Sequence, residues 1–302
     1  MKANGYALTF TGENTLTPNN EDEGYQVVLS NTDYDGTQEL VKPTGTFTLT
    51  GAEGFVVYPY IVKAASWAAF TKALADGASN IVLARNIAYD NSYDLTKDVT
   101  IDLNGKTLEI STPGKMLNFK ANVSIKNGNL HSLVYAQSGN VTLSDINFGG
   151  NIAYVGSAQG VITVSSANVL VERCNMKNVK NSGTTKPRSL STEGRSSGSL
   201  IFRDCDFKNS NLDRPYINPL NNNAALEITN CALYSGASNI DLGASYVWSN
   251  LNLTGCTGGF TFTISRKSTS LTEEELSVYR AIKSNNSGSK RFIFSDGEKN
   301  NL

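Results

Sequence analysis

LIFRDCDF, residues 200–207, sets a cysteine between two aspartates, with an arginine two positions ahead of it. Alone it could be a reactive thiol or half of a metal site. It is one copy of a repeat. VSIKNGNL (123–130), VTLSDINF (141–148), VLVERCNM (169–176), LEITNCAL (226–233) and LNLTGCTG (251–258) follow the same template, the last ending in Gly258 where the others end in Leu, Phe or Met. Each runs apolar, any, apolar, any, a polar turn residue, a small or apolar residue, any, apolar. Strand side chains alternate between faces. Leu200 and Phe202 therefore point inward, and Ile201 and Arg203 outward. Asp204 takes a bend, and Cys205 and Phe207 point inward again. The bend position reads Asn127, Asp145, Arg173, Asp204, Asn230 and Gly255. Asn, Asp and Gly tolerate the left-handed backbone of a tight corner, and Arg173 is the exception. The slot after the bend reads Gly128, Ile146, Cys174, Cys205, Cys231 and Cys256. A slot that accepts Gly, Ile or Cys is a packing slot, where free cysteine behaves as a small hydrophobe. Four reduced thiols are expected, because stacked parallel side chains are poorly aimed for a disulfide.

The third template positions, Ile125, Leu143, Val171, Phe202, Ile228 and Leu253, lie 18, 28, 31, 26 and 25 residues apart by subtraction of their numbers. That period is too long for a hairpin and too irregular for a leucine-rich repeat. It suits coils of three short parallel strands joined by connections of variable length. A further strand is expected ahead of most pairs: MLNF at 116, LVYA at 133, VITV at 161, a poorly marked copy in RSLSTEG, YINPL at 216, NIDL at 239 and FTFTI at 260. The fold class read from this pattern is all-β, a right-handed parallel β-helix of about seven or eight coils, roughly 35–40 Å long at the usual strand spacing.

Three divisions follow: residues 1–62, 63–266 and 267–302. Residues 66–77, SWAAFTKALADG, read as a helix capping the first coil, with Ser66 as N-cap, Trp67, Phe70 and Leu74 on one face and Gly77 at its end. STSLTEEELSVYRAI reads as a second helix, opened by a capping box of Ser270 with Glu273 or Thr272 with Glu275, with Leu276, Tyr279 and Ile282 on its apolar face. The tail KRFIFSDGEKNNL adds a strand. Residues 1–62 read as a β-rich module of four strands (YALTFTG, YQVVLSN, GTFTLTG, FVVYPYIV), marginal alone and expected to dock on the coils or on another subunit. NTDYDG at 31–36 opens like a calcium loop, but Lys42 occupies the position that needs Glu, and a tight turn is the simpler account.

Composition narrows the function classes. Charged residues make up 18% and the net charge is −1, so no global field argues for nucleic acid or a membrane surface. No apolar run is long enough for a membrane span. His131 is the only histidine, which excludes sites built on several, and no metal site is read from the sequence. MKANGYALTF has no apolar leader region. Extracellular β architectures nevertheless favour a secreted or surface-displayed protein.

The repeat over residues 64 to about 266 resembles the pectate-lyase-like superfamily of single-stranded right-handed β-helices, of the secreted bacterial type. The resemblance implies the fold and little of the activity, since members include polysaccharide lyases, glycoside hydrolases, phage tailspikes and adhesins. Three kinds of site follow as expectations. A lyase site needs a basic Arg or Lys beside a uronate, usually with Ca²⁺. The longest inter-coil segments, 177–198 and 208–216, should emerge on one side and offer Lys186, Arg188 and Arg214 for that chemistry. Lys180, Arg195, Asp213 and Tyr216 are offered as ligand contacts. The signatures of pectate lyases (vWiDH, RxPxxR) do not occur. A hydrolase site needs two carboxylates. Asp204 and Asp206 point different ways, and Asp206 with Asn129, Asn147 and Asn175 reads as a hydrogen-bonded ladder. Glu172 beneath Arg203 reads as a surface ion pair. A non-catalytic adhesive or glycan-binding face needs only a long polar and aromatic surface, for which Tyr135, Tyr154, Tyr216, Tyr246 and Trp248 are candidates. This last reading is preferred, with a polysaccharide or cell-surface glycan as partner, no cofactor, and Ca²⁺ entering only for a lyase. Homo-oligomerisation is compatible with it, and a stable trimer would point to a tailspike or fibre.

Overall fold

A computed structural model describes residues 56–299 apart from 155–159, 194–196, 219–220 and 268–270, together with the strands Asn14–Leu16, Gln26–Asn31 and Phe47–Leu49. The protein is all-β, with two long parallel sheets and, among the described residues, two α-helices. The first sheet has 13 strands. Its main path runs from Gln26–Asn31 and Val56–Ala64 through Asn80–Leu83, Val99–Asp102, Val123–His131, Asn140–Ile152, Asn168–Glu172, Leu200–Arg203 and Leu226–Thr229 to Leu251–Thr254. The second has ten strands, from Tyr93–Leu95, Met116–Phe119, Leu133–Ala136, Gly160–Val164, Arg188–Thr192 and Tyr216–Ile217 to Ala232–Leu242, Thr257–Ile264, Lys290–Phe294 and Gly297–Lys299. All the expected third strands are in this second sheet, although YINPL shortens to two residues. The register pairs equivalent template positions directly: Ile125 with Leu143, Leu143 with Val171, Val171 with Phe202, Phe202 with Ile228, Ile228 with Leu253.

The inward positions form one continuous core. Ile125, Leu143, Val171, Phe202 and Ile228 are all buried, as are all four cysteines, which are free. Burying a side chain of Leu or Phe size stabilises by about 1.5–3 kcal/mol, repeated here at every rung. Each bend residue has a left-handed backbone, from Asn127 at φ 60° through Arg173 at 52° to Gly255 at 69°, with Asn104 at 50° in the rung before. Arg173 is held there by two hydrogen bonds to the bend residue below, Nε–Asp145 Oδ1 at 2.8 Å and Nη2–Asp145 Oδ2 at 2.9 Å. Elsewhere in the column Asn230 donates to the bend residue Asp204 below it, and Asn127 to Asp102 just before the bend of the rung below, at 3.1 Å each. At Gly255 a Cβ would lie 2.3 Å from Asn230 Oδ1, so the site needs glycine for space as well as for φ. Gly128 occupies the cysteine slot because Leu103 already fills it, and a Cβ there would lie 2.6 Å from the Leu103 Cβ.

The caps follow the sequence closely. Helix α1, Trp67–Ala75, opens with Ser66 Oγ accepting from Ala69 N, and it buries Phe70 and Leu74. Trp67 is only partly buried and stacks on Tyr89 at 3.9 Å. Helix α2, Glu273–Asn285, uses the Thr272–Glu275 capping box, and Ser270 lies outside the described residues. It buries Tyr279 and Ile282, but Leu276 only partly. Beyond α2, Asn286 stands in for the next rung. Its Oδ1 accepts from Cys256 N at 2.8 Å, and its Nδ2 donates to Leu253 O at 2.7 Å and Ile282 O at 2.9 Å. The chain then adds Lys290–Phe294 in parallel and turns back through the antiparallel strand Gly297–Lys299.

Near the N-terminus, Gln26–Asn31 and Val56–Ala64 extend the first sheet, and Asn14–Leu16 pairs with Phe47–Leu49. The segments YALTFTG and the rest of NTDYDG after Asn31, with Lys42, lie outside the described residues.

Candidate functional site

The outer face of the second sheet gathers the chemistry. Its register sets Tyr135, Thr163, Ser191, Tyr216, Asn239 and Thr261 in one outward row. Two residues further along the strands lies a parallel row of Ser165, Glu193, Asn218, Asp241 and Thr263, in which Asp241 and Thr263 are register partners. Tyr135 and Tyr216 are three strand spacings apart, about 14 Å. Between them Thr163 and Ser191 are fully buried, the Thr163 hydroxyl bonded to Gly160 and that of Ser191 to Arg188. Arg188 opens its strand and lays its guanidinium 4.2 Å from the centre of the Tyr216 ring while Nη1 donates to Ser191 Oγ at 3.3 Å. The Tyr135 hydroxyl donates to Glu193 Oε2. Burial, then the neighbouring carboxylate, pushes the Tyr135 phenol up to about 12, so it stays a donor at any physiological pH. Asn218 is fixed by Thr192 through backbone N to Oγ1 at 2.6 Å and Nδ2 to O at 2.8 Å. Asp241 is half-buried, its Oδ1 is enclosed without a hydrogen-bond partner, and desolvation holds its carboxyl above the ordinary value.

Of the residues expected from the sequence, Arg188, Asp213 and Tyr216 come together. Arg188 and Asp213 are paired across a parallel bridge, and Asp213 Oδ1 accepts from Arg214 N at 2.8 Å. Arg214 is exposed on the residue beside it. Lys186 turns to Ser210 O at 2.8 Å. Lys180 lies in the first sheet, opposite Asn151, and does not join them. Arg195 lies outside the described residues. The expected 177–198 segment contains two strands: Asn175–Asn181 pairs with the end of Asn140–Ile152, and Arg188–Thr192, the copy expected in RSLSTEG, is a rung of the second sheet. Backbone pairing and the buried Met176, Val179 and Leu190 carry these strands despite their polar outward residues. The cations of the segment are divided between the two sheets, Lys180 in the first and Arg188 in the second.

Other expected features resolve as structure. Asn175 donates to Asn147 and Asn147 to Asn129, forming the expected ladder, and Asp206 adds an ion pair to Lys177 at 3.2 Å. Arg203 reaches up to Glu227 at 2.6 Å rather than down to Glu172, which pairs with Arg173 at 3.0 Å. His131 packs against Gly149 and Gly150, 4.0 Å from Glu109, and burial lowers its pKa. Tyr246 and Trp248 are core residues, and Tyr154 is exposed. The thiols of Cys174 and Cys231 are held up by the hydrogen bond to Cys205 and by burial, and Cys256 by burial. Among the described residues, no group of three or more His, Cys, Asp or Glu is placed to hold a metal ion. No helix there is long and apolar enough to cross a membrane.

Two features escaped the sequence reading. Glu193 and Asp241 are outward residues of strands recognised there, RSLSTEG and NIDL, and the alternation would have found them. A second amide ladder, Asp98–Asn122–Asn140–Asn168, stands one residue ahead of each template copy, with Asn122 donating to Asp98 through N at 3.0 Å and Nδ2 at 2.9 Å. It borders a shallow furrow of about 270 Å³ floored by Thr100, Ser124 and Thr142. No protein-family model matches the chain, and neither do the curated proteins or the solved structures.

Proposed function

We propose that the two sheets are faces of a right-handed parallel β-helix and that the outer face of the second is a non-catalytic glycan-binding surface of a secreted or surface-displayed protein. From Tyr93–Leu95 to Thr257–Ile264 the chain passes repeatedly from one sheet to the other, and each register step joins one rung to the next in parallel. Parallel strands in one sheet are joined by right-handed connections almost without exception. The observation that carries the ligand class is the Tyr135–Tyr216 face: two partly exposed aromatic rings, one hydrogen-bonded to Glu193 and the other carrying Arg188, with the exposed edge of Asn218 in the neighbouring row. Sugars present apolar C–H faces to aromatic rings and hydroxyl edges to amides, carboxylates and guanidinium groups, and this face supplies all four. An adhesive or structural role uses the same rigid surface.

Binding to an immobilised glycan panel, followed by calorimetry on the hits, tests the proposal. Tyr216→Ala and Tyr135→Ala should each weaken a hit about tenfold, which is about 1.4 kcal/mol. Absence of any glycan ligand, or full affinity in the double variant, overturns it. Release of unsaturated sugars from uronic-acid polymers, lost in Arg188→Ala or Arg214→Ala, would replace it with a lyase.

A further inference from the structure

We propose that the furrow on the outer face of the first sheet is a second binding site, one that takes an extended, uncharged β-1,4-linked glycan laid across the strands. The observations behind it are separate from the Tyr135–Tyr216 face. Asn80, Thr100, Ser124 and Thr142 line the furrow and are direct register partners on four successive strands. The furrow therefore runs across the rungs for three strand spacings, about 14 Å. At the next rung the row passes to Leu170, and the hydroxyls end.

The furrow has hydrogen-bonding capacity left over. Among the described residues, nothing is hydrogen-bonded to the hydroxyls of Thr100, Ser124 or Thr142, which lie half-buried on the outer face. Along the wall, Asn122 Oδ1 accepts from Asn140 N at 2.9 Å and from Asn140 Nδ2 at 3.2 Å. Both Asp98 oxygens accept from Asn122. The ladder engages its own oxygens, while the Asn122 and Asn140 amides each keep one N–H, since a primary amide has two. Ser124 and Thr142 thus each stand beside a ladder amide with a donor to spare. Sugar hydroxyls and ring oxygens accept from such groups, and sugar hydroxyls donate back. A ribbon-like β-1,4-linked chain advances by close to one strand spacing per sugar, so successive sugars meet equivalent rungs about 4.8 Å apart. A coiled α-1,4-linked chain does not hold that step over three rungs. A peptide strand, at about 3.3 Å per residue, falls out of step with it. Asp98 alone is charged among the described residues lining the furrow, and its carboxylate is engaged by Asn122. Lys126, in the next row, faces Asp102 at 3.9 Å. The site thus offers no cation for an acidic chain.

The test uses the full chain and three probes of matched length: cellohexaose, maltohexaose and hexagalacturonate, measured by calorimetry at two salt concentrations. Cellohexaose should bind at least about tenfold tighter than either of the others, with no dependence on salt. Ser124→Trp, which fills the furrow, should abolish that binding. Thr100→Val with Thr142→Val removes two hydroxyls at nearly constant shape and should weaken it about tenfold. Circular dichroism and melting establish that the variants are folded. Tyr135→Ala with Tyr216→Ala should leave the furrow's affinity unchanged. Binding lost in that tyrosine pair but kept in Ser124→Trp overturns the inference and puts the chain on the aromatic face, in support of the glycan-binding proposal. Equal affinity for maltohexaose, tighter binding of hexagalacturonate, or full affinity in the valine pair also overturns it. So does absence of cellohexaose binding, which leaves the glycan-binding proposal to its own panel.

Discussion

Asn286→Ala should unzip the C-terminal end of the stack. The side chain serves as a surrogate rung, making three buried hydrogen bonds of 2.7–2.9 Å to the bend at Cys256, the strand at Leu253 and the last turn of α2. Truncation leaves one amide donor and weakens the satisfaction of two carbonyls, in a residue only 9% exposed. An unpaired buried polar group costs about 1–3 kcal/mol, and the donor costs most because each carbonyl keeps a second lone pair. The total is about 3 kcal/mol. Chains of this size lose about 2 °C of Tm per kcal/mol, so the expected drop is about 6 °C. Asn286→Asp retains the acceptor for Cys256 N–H, loses both donations and turns a charge toward two carbonyls. It should be at least as damaging at pH 7. Scanning calorimetry reads the total, and hydrogen exchange at Cys256 reads its location. Asn285→Ala, one residue earlier and exposed, is the control and should lie within about 0.5 kcal/mol of wild type. If Asn286→Ala melts within about 1 °C of wild type, or Cys256 exchanges no faster, the side chain is not the terminal rung.

Three further outcomes are expected. Gly255→Ala combines a left-handed φ of 69° with a Cβ placed 2.3 Å from Asn230 Oδ1, and should cost about 2 kcal/mol or more in chemical denaturation. Adding Asn230→Gly should recover the steric part only, and full recovery would show that the backbone angle costs nothing. The four cysteines are buried and free, so an aromatic disulfide reagent should modify none in the native protein and four after unfolding. Stoichiometric labelling without denaturant would contradict the packing. The Asp241 carboxyl is raised above 3.8 in the fold, so the protonated form is the better-tolerated one. Its stabilising contribution is present below the unfolded value and lost as pH rises through the folded one. Asp241→Asn should therefore raise Tm at pH 7, with the difference vanishing near pH 3. A lowered Tm at pH 7 would mean that the carboxylate has a structural partner.

The core of this architecture was legible because its repeat is written in inward residues and corners. Asn127, Asp145, Asp204, Asn230 and Gly255 announce a left-handed bend by residue type, and the register then places even Arg173 correctly. The strand Asn175–Asn181 was hidden, and Arg188–Thr192 only poorly marked in RSLSTEG, for the converse reason. They belong to rungs whose outward residues are polar, and only Met176, Val179 and Leu190 mark the inside. Backbone hydrogen bonds hold such segments as strands whatever faces solvent. The candidate site was half legible. Arg188, Asp213 and Tyr216 were picked as loop residues, and they meet because two rungs of the second sheet carry them. Glu193 and Asp241 are 48 residues apart by number and fall in one row of the second sheet, two rungs apart, only through its register.

Register in this molecule is fixed by the corner residue and by the slot behind it, while the number of residues between successive corners varies from 18 to 31. Connection length is therefore a free variable, since lengthening a loop costs little closure entropy when its ends are held by the same ladder. The exposed 182–185 turn, between two paired strands, should accept a grafted peptide or tag without displacing the rungs on either side. Grafts at several such turns would be displayed at intervals set by the strand spacing, making the protein a molecular ruler on which epitope or ligand density can be chosen.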